Sequence, residues 1–177
     1  MAGKGERLSE HKFIVDCMHG RLARKMRLYG FDTLYDVNFD DNKLIEIAKL
    51  EGRTIITSDK ALIERAKSEN LPVIWVPLDN DLPRMIKIFD TLKILPKIDP
   101  KKSRCPHCNS TLVIVEKDNV KGVPKKVLKR KRIFYKCMGC GKVYWYGSHW
   151  KKIREFEKTL KRRLRELREG EKNEFKR

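Results

Sequence analysis

Two residue types in this sequence are spaced for chemistry. The first is cysteine, in Cys105-Pro-His-Cys108 and Cys137-Met-Gly-Cys140. Two residues between thiolates let one tight turn present both sulfurs to a single ion. Two such turns complete a tetrahedral shell whose usual occupant is Zn²⁺, with paired disulfides or an iron site as the other readings. Four thiolates leave no open coordination position, so the expected zinc is structural. His107 lies between two ligands and reads as an exposed turn residue, and the fifth cysteine, Cys17, reads as a buried core thiol. The second type is aspartate. Four apolar runs, beginning at Phe13, Thr33, Thr54 and Val73, finish in Asp16, Asp36, Asp59 and Asp79, spaced 20, 23 and 20 residues apart. Carboxylates gathered at one edge repel and raise one another's pKa. Mg²⁺ or Mn²⁺ relieves that repulsion, and such ions activate water and stabilise charge building on a phosphoryl group. Taken singly, a strand-end Asp is more often a helix cap than a ligand. Four in register shift that balance.

The elements that must position these acids follow from periodicity. Residues 13–16, about 33–35, 54–57 and 73–76 are short apolar runs of the kind buried on both faces of a parallel sheet. Between them lie helical stretches. Leu22, Met26 and Tyr29 share a helical face that ends at Gly30, and Leu44, Ile45 and Ala48 share another that ends at Gly52. Further helices are expected through Leu62, Ile63 and Ala66 and over about 82–92. Strand and helix thus alternate four times, which implies an α/β domain over 13–96 with a mostly parallel sheet between two helical layers. Ligands in such sheets collect at the carboxyl ends of the strands, where the four acids fall. Asp40 or Asp41 caps the second helix, and Asp41 is also a candidate carboxylate at its start. Arg21, Arg24 and Arg27 follow Asp16 at three-residue steps and read either as a solvated helix face or as phosphate contacts. Ser58 and Lys60 flank Asp59, placed either to touch a scissile phosphate or simply to start a helix.

Residues 1–12 read as a flexible leader and 97–103 as a linker. The zinc ribbon is expected over 104–150, its long interval forming a β-hairpin that carries Lys125–Arg132. Its Lys129, Arg130, Lys131 and Arg132 are the candidate nucleic-acid contacts. Residues 151–177 read as a basic helix and tail, helical from Lys151 to Glu169, with Ile153, Phe156, Leu160, Leu164 and Leu167 as a narrow apolar stripe. The aromatic run Val143–Trp150 reads as a packed seam between ribbon and domain, with base stacking on Tyr144, Trp145 or Trp150 as the other reading. His149 reads as a satisfied interface residue.

Charge is divided unevenly. Residues 1–100 hold 17 Lys and Arg against 16 Asp and Glu, while residues 101–177 hold 25 against 8. The net charge of +18 therefore sits almost wholly in the second part. A one-sided basic surface favours a polyanionic partner, most commonly nucleic acid. The N-terminus has no apolar signal segment, and no apolar run approaches the roughly 20 residues that cross a bilayer. The expectation is a cytoplasmic chain with no membrane partner. The sequence has no Gln and is rich in Lys, Arg and Glu, a composition of thermophile type.

Phe13-Ile-Val-Asp16, Gly20-Arg-Leu-Ala-Arg24 with Arg27, Tyr29-Gly-Phe-Asp32, and Gly52-Arg53 with Thr57-Ser-Asp59 together resemble the Mut-seven C-terminal RNase domain family. So do Ser103-Arg-Cys-Pro-His-Cys-Asn109 and Val143-Tyr-Trp-Tyr-Gly-Ser-His-Trp150. The resemblance covers roughly residues 13–155. It implies a PIN-like nuclease domain with a zinc ribbon on its C-terminal side, acting as a ribonuclease that depends on Mg²⁺ or Mn²⁺. It also implies that Asp16, Asp41 and Asp59 are the metal-binding acids, with Asp36 and Asp79 accessory. RNA is the expected partner, with the ribosome or pre-rRNA as a further one. The competing expectation is a non-catalytic RNA- or ribosome-associated protein whose acids are caps; DNA binding through the ribbon is the third.

Overall fold

In a computed structural model, which describes residues 11–174, the chain forms two sheets followed by a long C-terminal helix. Residues 1–10 of the expected leader and 175–177 of the expected tail lie outside the described residues. The first sheet is parallel throughout, in the order β2-β1-β3-β4. Its strands are β1 (Lys12–Val15), β2 (Asp32–Leu34), β3 (Thr54–Thr57) and β4 (Val73–Trp75). Helix α1 (Gly20–Leu28) joins β1 to β2, α2 (Asp41–Glu51) joins β2 to β3, and α3 (Lys60–Ser68) joins β3 to β4. Helix α4 (Asp81–Thr91) follows β4.

Both faces of this sheet are covered, which is why its strands are nearly continuous apolar runs. Successive strand residues point to opposite faces. Phe13 and Val15 accordingly join one core with Leu22 and Met26 of α1 and Met85, Ile88 and Phe89 of α4, whereas Ile14 joins the other with Leu44, Ile45 and Ala48 of α2 and Leu62 and Ala66 of α3. Parallel crossovers are right-handed, so a connection running one way across the sheet lies on one face and the reverse direction lies on the other. The chain steps outward from β1 to β2 through α1, then back past β1 to β3 through α2. The direction therefore reverses around β1 and β3, and their following helices lie on opposite faces. A crevice is left at the carboxyl ends of those two strands. Local chemistry sharpens the ends of the helices: Gly52 closes α2 in the left-handed conformation (φ 62°) that a side chain at this position would strain.

The second sheet is antiparallel, β5 (Leu112–Glu116), β6 (Ile133–Cys137) and β7 (Val143–Tyr144). The hairpin expected around Lys125–Arg132 is present, but the basic segment is not a simple extended loop. Pro124 leads into a short helix, α5 (Lys125–Arg130), between β5 and β6. The last helix, α6 (Ser148–Glu174), starts before the expected Lys151 and continues past Glu169. Its stripe is real over most of its length: Leu160 and Leu164 are fully buried and pack, with Ile153 and Phe156, on the core shared by α1 and α4. Leu167 is exposed. Glu157, also buried, is held by Arg154 and Lys161 on its own helix and accepts the Ile98 backbone N–H. Residues 97–103, expected to be a linker, are fastened down. Ile98 is buried, and Ser103 donates its hydroxyl hydrogen to Leu28 O at 2.6 Å.

Candidate active site and metal centre

At the crevice between β1 and β3 the chain places three carboxylates. Asp16 follows β1 directly and is nearly buried; its Oδ2 accepts the Thr57 hydroxyl at 2.6 Å. The same hydroxyl oxygen accepts the Asp59 backbone N–H at 2.9 Å. Thr57, the last residue of β3, thus ties the two strand-end acids together. Asp59 caps α3, and both backbone bonds, from Ala61 and Leu62, fall on Oδ1. Asp40 is the cap of α2 through Lys43 N, which leaves Asp41, the first helical residue, with its carboxylate free of that duty. The Asp41 pKa is raised, first by partial burial and then by the charges of Asp59 and Asp16. Among the described residues, no Lys or Arg forms an ion pair with any of the three. Arg65 of α3 sets a weaker positive charge near Asp41 and hydrogen-bonds the neighbouring Asn42 at 2.6 Å.

The other two acids of the strand-end set are engaged in their own turns. Asp36 is exposed and accepts from Asn38 N and Nδ2, and Asp79 is exposed and accepts from Asn80 N. Of the basic candidates on α1, Arg21 and Arg24 are exposed, as a phosphate contact requires. Lys60, at the start of α3, is exposed as well. Lys129, Arg130 and Arg132 are exposed, and Lys131 is half-buried.

Several residues take roles that their local sequence does not show. Arg27 is not a phosphate contact: it is buried, and its guanidinium donates to Thr33 O at 2.9 Å and to Pro106 O and His107 O at 3.0 Å each. Ser58 does not face the crevice. Its hydroxyl donates to Val76 O at 2.6 Å and so accepts from the Nε2–H of buried His19 at 2.9 Å. Burial, helped by the nearby Arg84 charge, lowers the His19 pKa and so favours the neutral ring. Cys17 is exposed rather than a core thiol, because β1 ends at Val15 and the chain turns outward at Cys17–His19. His107 is exposed as expected, and His149 is exposed rather than an interface residue. Thr57, His19 and Arg65 were missed as site residues; the Thr-Ser-Asp run at 57–59 was the one local signal for the first of them.

The cysteines converge. The Sγ atoms of Cys105, Cys108, Cys137 and Cys140 all lie within 4.8 Å of one another, with Cys105 to Cys140 at 3.7 Å and Cys108 to Cys137 at 3.3 Å. Tetrahedral zinc with bonds of about 2.3 Å puts its sulfurs about 3.8 Å apart. The set therefore fits a structural Zn²⁺. The Cys140 N–H donates to Cys137 Sγ, and the Tyr144 hydroxyl lies 3.1 Å from Cys105 Sγ, contacts that orient thiolate ligands. Among the described residues this is the group of ligating side chains close enough to chelate one ion as it stands; the three carboxylates are near enough to perturb each other but do not close to that distance.

The first cysteine turn plugs into the amino end of the parallel sheet. Asn109, in the left-handed conformation (φ 69°), accepts Thr33 N at 3.0 Å and donates to Asp32 at 2.8 Å. Arg53 and Arg104 complete this seam by pairing with Asp32. Burial alone would raise the Asp32 pKa, but the hydrogen bonds from Arg53 and Asn109 outweigh it and hold the group below the usual carboxylate range.

No helix among the described residues is long and apolar enough to cross a membrane. No curated protein matches the chain. A family model, the Mut7-C RNAse domain, matches residues 11–157, which span the parallel sheet, the cysteine centre and the first turns of α6. The match points to a nuclease-like activity with RNA as substrate. The chain belongs to the Mut7-C RNAse domain family.

Proposed function

We propose that the chain is a metal-dependent endoribonuclease with a PIN-like domain, in which Asp16, Asp41 and Asp59 hold Mg²⁺ or Mn²⁺. The observation that carries this reading is the convergence of these acids at the strand reversal, with no ion-pair partner among the described residues and with the Asp41 pKa raised by partial burial and then by the charges of the other two. Hard divalent cations fit such a donor set, and when bound they supply activated water and neutralise charge on the phosphoryl group, in the manner of two-metal hydrolysis. The protein's own part is positional. Thr57 holds Asp16 and the Asp59 backbone in fixed relation, while Asp59 keeps Oδ2 available by using Oδ1 as its cap. Arg21, Arg24 and Lys60 are exposed around this edge and bind the phosphates of a strand without reading its bases. Asp36 and Asp79 form an outer acidic rim. The basic second part recruits RNA, in the cytoplasm, with the ribosome or pre-rRNA as a source of substrate.

The test is cleavage of end-labelled single-stranded RNA by zinc-loaded protein with and without Mn²⁺, beside Asp59→Asn. Mn²⁺-dependent cleavage that Asp59→Asn abolishes supports the reading; equal cleavage in all three samples removes this site. One observation favours a second reading, a non-catalytic RNA- or ribosome-binding protein: Asp40 and Asp59 both serve as helix caps. That reading is sustained by salt-sensitive RNA binding with no Mn²⁺ affinity.

A further inference from the structure

A second concave site lies away from the acids. A cleft of about 760 Å³ opens between β6, β7, α5 and the start of α6, and Leu28 of α1 also lines it. This is within the size range of small-ligand sites. Its lining is aromatic. Tyr146 packs edge-on between Tyr135 (5.9 Å between centroids, 82°) and Trp150 (4.5 Å, 87°), and Trp145 packs edge-on against Phe134. In an edge-to-face pair one ring turns its edge to a single face of the other, so each ring keeps a face that its aromatic neighbour does not cover. One face of Trp150 carries the Arg154 guanidinium, 4.9 Å from the ring centroid. The rim is cationic: Lys126, Arg130 and Lys131 line it from α5 and the residue after it, and no acidic side chain among the described residues does.

We propose that this cleft is a base-binding subsite for single-stranded RNA, which seats unstacked bases on Trp145, Tyr146 and Trp150 while α5 contacts the backbone. Aromatic faces bind any base, and a positive rim attracts the phosphates, so the combination fits a single strand better than a duplex. Helix α1 connects the cleft to the acids. Gly20 at its start lies against Tyr35, whose hydroxyl donates to Cys17 O beside Asp16, while Leu28 at its end lines the cleft. Eight residues of helix span about 12 Å, a distance that a few nucleotides of single strand cover. Exposed Arg21 and Arg24 lie along that path, on the face that leads to Leu28. A strand anchored in the cleft therefore reaches the acids a few nucleotides away. This last step rests on the ribonuclease reading; base binding itself does not.

The experiment uses the full zinc-loaded chain with no added Mg²⁺ or Mn²⁺. Tryptophan emission is titrated with a 12-nucleotide oligouridylate and with an abasic ribose-phosphate oligomer of the same length at the same salt. The expected result is about tenfold tighter binding of the base-bearing oligomer, with a preference near one in Trp145→Leu, which keeps apolar volume but removes the ring face. Equal affinity of the native protein for both oligomers overturns the proposal. A dimer in sedimentation that Trp145→Leu dissociates also overturns it, because the occupant is then a second copy. Because the variant alters packing against Phe134, the native protein is also photocrosslinked to 4-thiouridine-containing oligomer. Crosslinks in the tryptic peptide 143–151 support the proposal, and crosslinks confined outside 125–153 overturn it. Mn²⁺-dependent cleavage is scored separately. Base preference without cleavage sinks the nuclease reading alone, and cleavage without base preference sinks the cleft alone.

Discussion

The two ends of the parallel sheet use the same residue for opposite purposes. At the amino end, Asp32 is enclosed by Arg53, Arg104 and Asn109, and its pKa is held low. At the carboxyl end, Asp16, Asp41 and Asp59 lie close enough to act on one another with no ion-pair partner among the described residues, and the Asp41 pKa is raised by partial burial and then by the other two charges. The ionised form of Asp32 is favoured by the fold, so its contribution to stability is present above the ordinary carboxylate pKa and is lost as pH falls through the lowered value. The sign reverses for Asp41. Its ionised form is disfavoured, so its charge costs stability above the raised pKa and that cost fades as pH falls. An acid with its counter-charge supplied by the chain fastens the molecule. An acid left without one is available to a cation from solution.

The contrast is open to direct attack, beginning with the largest effect. Cys137→Ser, or zinc removal with a chelator, is expected to undo the cysteine centre and with it the seam at Asp32, because structural zinc contributes on the order of 10 kcal/mol to small modules. Thermal melts with a colorimetric zinc assay report it. The parallel sheet, which holds most of the buried core, should retain its helical signal. At the other end, Asp59→Asn is expected to lower Mn²⁺-dependent RNA cleavage by about 100-fold or more, as for loss of a metal-site group, while urea midpoints stay nearly constant because Asn caps a helix as well as Asp. Asp32→Asn should do the reverse, costing about 2 kcal/mol in urea unfolding at neutral pH through its charge-assisted hydrogen bonds and leaving Mn²⁺ affinity unchanged. Asp41→Asn is a finer probe. Without divalent ions the melting temperature should hold or rise slightly, a fraction of a kcal/mol for so exposed a group. Calorimetric Mn²⁺ affinity of the native protein should decline as pH falls through the raised Asp41 pKa, and should begin to do so at a higher pH than for an Asp at its ordinary value. Asp36→Asn should be the mildest, within about 0.5 kcal/mol in stability, since Asn also forms the turn that Asp36 makes with Asn38. If it matches Asp59→Asn in the cleavage assay, the carboxyl-end site extends beyond the three acids.

How much of this was legible depended on whether the cause lay nearby in the chain. The strand–helix alternation was legible because short apolar runs, Gly30 and Gly52 are local signals. The convergence of Asp16 and Asp59 followed from it, since parallel strands put their carboxyl ends on one side. Arg27 was misread because its burial comes from residues 106 and 107, about 80 positions later; three-residue steps along a helix showed a stripe of arginines and nothing of the knuckle that covers the last one. Ser58 was misread for the same reason, its partners being Val76 and His19. The role of Asp32 is invisible in its local motif, because its three partners lie at 53, 104 and 109. The helix at Lys125–Arg130 was hidden by its charge, since a short basic run has no apolar periodicity to betray it.

The position of the two cysteine pairs also bears on what happens when the chain is cut. Cys105 and Cys108 precede the exposed basic excursion around 121–132, and Cys137 and Cys140 follow it. A trypsin-like protease meets its preferred residues there, on a surface segment of the kind that proteases nick. Cleavage at that point severs the backbone but not the four-sulfur centre, and β5 still pairs with β6 across five residue pairs. The halves should stay together as a split protein, held by the metal ion, the β5–β6 ladder and the packing of α6 on α1 and α4, migrating as two bands only under denaturation.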